Sequence, residues 1–126
     1  MIISNITATG PYTSWLAPRI TALWEKEEYW YSDTRTSTIT GQPGKPIENI
    51  SISNIYVTVP GGGSEEDRDV VLPEITHTYP ENHHFGDKNP AYGMYFRHVK
   101  NLSINNVHID TLKPDGREAL HFEDVT

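Results

Sequence analysis

Five stretches of the chain share one order of residues: apolar, any, apolar, any, then Asn, Asp or His, then apolar. They are Met1-Ile3-Asn5-Ile6, Ile50-Ile52-Asn54-Ile55, Met94-Phe96-His98-Val99, Leu102-Ile104-Asn106-Val107 and Leu120-Phe122-Asp124-Val125. The first two apolar residues lie two apart, so in extended backbone they face the same side. The polar residue breaks that alternation. A bend there returns the final Ile or Val to the interior, and Asn and Asp suit such a bend because they tolerate left-handed backbone and hydrogen-bond locally. The pattern predicts short strands, each bent at its polar position.

Spacing adds order to the strands. Val99 and Val125 end two matches 26 residues apart, which suits one coil of a solenoid whose strands stack at about 4.8 Å. NISISNI (49–55) and NLSINNV (101–107) superpose at an offset of 52. That is two such steps, or one coil carrying a long excursion, and the excursion is the preferred reading. The stretch between Tyr56 and Ala91 holds PGGGSEEDRD and PEITHTYPENHHFGDKNP, rich in Gly, Pro and charge. Loop excursions are therefore expected at about 60–90 and about 10–37, with LWEKEEYW in the latter able to form roughly two helical turns. An all-β sandwich is the competing architecture. It would call for hairpins, and no Asn-Gly or Asp-Gly hairpin turn joins neighbouring strands here.

Composition fits a single domain. A content of 36% hydrophobic and 10% aromatic residues supports a modest core in 126 residues. The net charge of −7 argues against a general nucleic-acid binder or a basic membrane-surface protein. It does not exclude an acidic sugar polymer, which a few local Arg or Lys can serve. There is no cysteine, hence no disulfide framework and no thiolate metal site. MIISNITATG carries neither a basic region nor a continuous apolar run of the signal-peptide kind, and no stretch reaches the length of a membrane span.

ISNITATGP, ITGQPGKPIENISISNI, VPGGGSEED, YPENHHFG, PAYGMYFRHVKNLSINNVHID and REALHFEDV resemble, in that order, the late coils of bacterial family 28 glycoside hydrolases, the polygalacturonases. The likeness covers nearly the whole chain and is weakest between Tyr12 and Ser37. PIENISISNI is common to many parallel β-helices, whereas YPE, FG and PAYGMYFRHVKNL are more specific. The resemblance implies an all-β, right-handed parallel β-helix over residues 1–126 that belongs to a pectin-degrading enzyme, secreted or periplasmic, with inverting hydrolysis of galacturonic acid linkages. Inversion needs one protonated carboxyl and one carboxylate flanking the scissile bond. The family carries these in Asn-x-Asp and Asp-Asp motifs, with His-Gly and Arg-Ile-Lys beside them, and this chain has none of the four. Arg19-Ile20-Thr21 echoes the last, with Thr in place of Lys, and receives no catalytic role. The resemblance also implies that the chain is cut at both ends and is the C-terminal part of a longer enzyme. No catalytic residue is assigned, no cofactor or metal is expected, and the isolated chain is expected to be inactive.

Candidate contacts to a pectic oligo- or polysaccharide are Trp24, Tyr29, Trp30, Tyr79, Glu81 and Arg97. Trp24, Tyr29 and Trp30, with Trp15 and Tyr31 near them, lie in or beside an excursion, where aromatic faces can pack on sugar C–H surfaces or simply cover the scaffold. Tyr79 and Glu81 of YPE either face a cleft or cap the strands. Arg97 can recognise a sugar carboxylate through its two-pronged guanidinium. At a step of 26, however, Arg97 falls beside Glu123 and Tyr95 beside His121, so an ion pair between neighbouring strands is the stronger expectation. Glu65, Glu66, Asp67 and Asp69 read as a solvated loop before a calcium site, and His77, His83 and His84 lack zinc-like spacing. Asn5, Asn49 and Asn101 head glycosylation-type triplets, yet all coincide with repeat strands and read as bend residues. Two further roles stay open: a non-catalytic carbohydrate-binding or structural module, and self-association through open coil ends.

Overall fold

The structure, a computed structural model, describes residues 1–9, 36–77 and 88–126. They form a curled, wholly parallel sheet of five strands: β1 (Ile2–Thr9), β2 (Ser37–Thr40), β3 (Ile47–Gly61), β4 (Ala91–Lys113) and β5 (Glu118–Val125). The described residues are mostly strand, with a 3-10 turn at Glu65–Asp69. The helix expected in LWEKEEYW lies outside the described residues.

Register follows the repeat. Ile3 pairs with Ile52 and Ile52 with Ile104, while Phe96 pairs with Phe122. β4 and β5 thus meet at a step of 26 residues, and β3 and β4 meet directly at a step of 52. The longer step is one crossing with an excursion, as the sequence favoured. β4 serves three partners along its length. Its first half lies between β2 and β5, and its second half adds to the β1–β3 edge.

Every polar position of the repeat bends as its chemistry suggests. Asn5, Asn54, His98, Asn106 and Asp124 all have positive φ, between 51° and 58°. Asn49 and Asn101 do the same at 60° and 56°, which explains their triplets as bend sequence. After the bends at Asn54, His98, Asn106 and Asp124 the next apolar residue, Ile55, Val99, Val107 or Val125, turns inward, whereas Ile6 after Asn5 stays exposed on the outer strand. Ile50, Ile52, Ile55, Phe96 and Val99 form the buried core, with Ile3, Ile39, Leu102, Ile104, Leu120 and Val125 packed against it. The bends also bond to each other: Asn106 donates to Asn54 at 2.9 Å, Asn54 to Asn5 at 3.2 Å, and Asn101 to Asn49 at 2.7 Å. Stacked amides satisfy polar groups that a bare bend would leave to water.

Burial tapers toward the outer strands. Phe96 is fully buried, whereas Phe122, stacked on it at 5.2 Å, remains 48% exposed, and Met1 together with Ile2 and Ile6 of β1 is exposed as well.

β2 carries no repeat match, and its role was not visible in the sequence. Ile39 lies beside Phe96 and extends the core by one residue on that side.

Candidate functional site

Polar chemistry collects on the outward side of β4 and β5, between the bends at His98 and Asp124. The alternation that buries Phe96 sends Tyr95 and Arg97 outward, yet both are only 1% exposed. The reason is residues 70–75, which return from the 3-10 turn and lay Leu72, Val70 and Ile75 against Tyr95 as a second, smaller apolar cluster. The sequence showed this stretch as part of a polar excursion, although VVLPEI holds the apolar residues that do the covering.

Arg97 ties the covering segment down. Its Nη1 donates to the Leu72 carbonyl at 2.8 Å and its Nη2 to the Pro73 carbonyl at 2.9 Å, while Nε lies 3.5 Å from Glu74 Oε1. The register does set Arg97 beside Glu123 and Tyr95 beside His121, as the 26-residue step required. Tyr95 and His121 stack at 5.5 Å, but Glu123 accepts from the Tyr95 hydroxyl at 2.6 Å. Burial, and then that bond to a carboxylate, push the Tyr95 hydroxyl well above the ordinary tyrosine range. The described partners of Arg97 are thus mainly on the 72–74 segment, and a sugar carboxylate reaching its guanidinium would have to displace that segment.

His98 completes the group. Nδ1 lies 2.6 Å from Asp124 Oδ2 and Nε2 lies 2.8 Å from Glu74 Oε1. The bond to Asp124 and then that to Glu74 raise the imidazole's proton affinity above its usual value. Two carboxylates flank one ring, and the ring fills the space between them. The arrangement ties the bend of β5 and the covering segment to the bend of β4.

A second buried cluster fixes the start of β4. Arg117 grips Asp115 through Nε at 2.9 Å and Nη2 at 2.8 Å, and its Nη1 donates to the carbonyls of Asn89 and Ala91 at 3.1 Å. Asp115 also accepts from the Gly63 amide at 2.9 Å, and these bonds, led by Arg117, lower its pKa to about 2. Gly63 is required here because a Cβ would collide with the Arg117 side chain. Nothing in the sequence singled out this pair, since Asp115-Gly116-Arg117 reads as an ordinary turn.

Of the other candidates, Asp67 is buried and accepts from Lys88 Nζ at 2.7 Å and from the Ser64 amide at 2.9 Å, which together hold its carboxyl below the usual range. Among the described residues no three Asp, Glu or His side chains converge as a cation site. Trp24, Tyr29, Trp30, Tyr79 and Glu81, with Trp15, Tyr31, His83 and His84, lie outside the described residues.

The described geometry defines an all-β protein: a curled parallel sheet with laddered left-handed bends and a polar network pinning one covering segment. Compared with family models, with curated proteins and with solved structures, the chain matches none.

Proposed function

We propose that the described strands are successive coils of a right-handed parallel β-helix of the polygalacturonase-like type, acting as a supporting and sugar-contacting part of a pectin-degrading glycoside hydrolase. The observation that carries the reading is the parallel register at steps of 26 and 52 residues with left-handed Asn, His or Asp at each repeat bend. A solenoid needs that arrangement, because each coil must turn at the same place for the core to stack. The polysaccharide class comes from the resemblance of PAYGMYFRHVKNL and YPE to that family. Hydrolysis itself is assigned to paired carboxylates outside these 126 residues, since the family's Asp motifs do not occur here.

The test is binding without turnover. Oligogalacturonides added to the pure chain should quench the fluorescence of its three tryptophans, and polygalacturonate incubated with it should release no reducing ends. Absence of any fluorescence or calorimetric response to pectic sugars sinks the sugar-contacting role, and release of reducing ends sinks the supporting one.

A further inference from the structure

His98 sits at the left-handed bend of β4, φ 51°, with carboxylates from two other parts of the chain against its two ring nitrogens. Asp124 comes from the matching bend of β5 and Glu74 from the covering segment. The His98 side chain is 13% exposed, against 40% for Glu74 and 75% for Asp124. The ring is therefore the fixed member and the carboxylates the movable ones. The other charged groups nearby are Arg97, 3.5 Å from the same Glu74 oxygen, and Glu123, which holds the Tyr95 hydroxyl. On the β2 side, Gly41 meets the strand with backbone alone, donating to the Arg97 carbonyl at 2.9 Å.

Neutral imidazole donates from one nitrogen and accepts at the other, while carboxylates only accept. A neutral ring would therefore point a lone pair at one of the two carboxylates. Only imidazolium satisfies both contacts. We propose that His98 is a protonation-controlled latch: as imidazolium it ties the Glu74 segment to the stacked bends of β4 and β5, and on losing its proton it releases Glu74.

Glu74 is the partner that leaves. Its contact is the longer of the two, and Arg97 offers it an alternative nearby. Release stays local, because Arg97 still holds the carbonyls of Leu72 and Pro73. The loosened stretch is 74–77. Since both carboxylates raise His98's proton affinity in the folded chain, the latch is fully closed below the ordinary histidine value and is lost as pH rises through the higher folded one. The latch does not depend on the sugar reading.

Two measurements on the full chain test it. The His98 ring protons, followed by NMR, should titrate above the ordinary midpoint of 6.5, and the midpoint should fall in Glu74→Gln and Asp124→Asn. Amide exchange of residues 74–77, corrected for intrinsic rate, should speed up several-fold across that midpoint in the wild-type chain. Glu74→Gln should remove this pH dependence, because its amide can donate to a neutral ring and keep the segment closed at every pH. The substitution is at a part-exposed side chain, so the fold should survive it. A midpoint at or below 6.5, or exchange in 74–77 that ignores the titration, overturns the latch.

Discussion

Asn106 donates its side-chain amide to Asn54 at 2.9 Å, 52 residues away in sequence, and both residues are in left-handed backbone at the same corner of adjacent strands. One residue type meets two demands at that corner. It adopts a φ that most side chains avoid, and it supplies a donor and an acceptor to the strands on either side.

Asn54 is the central member, so replacing it should be costly in a graded way. Asn54→Ala loses the bonds to Asn5 and Asn106 and pays the left-handed penalty, and should lower unfolding free energy by about 1–2 kcal/mol. Asn54→Gly loses the bonds but not the backbone preference and should cost less. Urea denaturation of both variants checks the order, and an Ala variant as stable as the Gly variant would show that φ contributes nothing.

The two stacked phenylalanines should differ sharply. Phe96 is fully buried and Phe122 is 48% exposed. Phe96→Ala should cost about 3–5 kcal/mol, as other large-to-small core changes do, and Phe122→Ala clearly less. Equal losses would mean that β5 is covered on its outer side in solution.

Arg97→Lys should behave as a serious lesion in spite of its conserved charge. An ammonium cannot serve the carbonyls of both Leu72 and Pro73 in the forked geometry of guanidinium. A loss of about 2–3 kcal/mol is expected, with faster proteolysis within residues 70–77. Wild-type resistance to protease in Arg97→Lys would remove Arg97 from its anchoring role.

Asp115 sets an acid limit. Its carboxyl is only 1% exposed and its pKa in the folded chain is lowered from 3.8 to about 2. A lowered value means that the stability it contributes is present above the unfolded value and is lost as pH falls through the folded one, here between about 4 and 2. The contribution is on the order of 2 kcal/mol. Asp115→Asn should therefore be less stable at neutral pH, and the gap from wild type should narrow below about pH 4. A gap constant with pH would show that the carboxylate's charge is not what Arg117 uses.

The bends at Asn5, Asn54, His98, Asn106 and Asp124 could be read from six-residue windows, because alternation and left-handed preference are properties of the local backbone. The 26-residue step near the C-terminus was legible because two matches of the same window end at Val99 and Val125. β2 was not, since Ser37–Thr40 offers only one core residue, Ile39, and no bend. Nor was the burial of Arg97, which alternation correctly turns outward.

The sequence by itself determined where strands bend and which residues face the core, since each bend depends on one Asn, His or Asp and its immediate neighbours. Only the tertiary structure decided that residues 70–75 return to cover Tyr95 and Arg97, and that Glu74 and Asp124 meet on His98. It also decided that Asp115 and Arg117 close on Gly63, Asn89 and Ala91. Those contacts join residues that no period links, and they form only after the parallel register has brought distant segments to the same face.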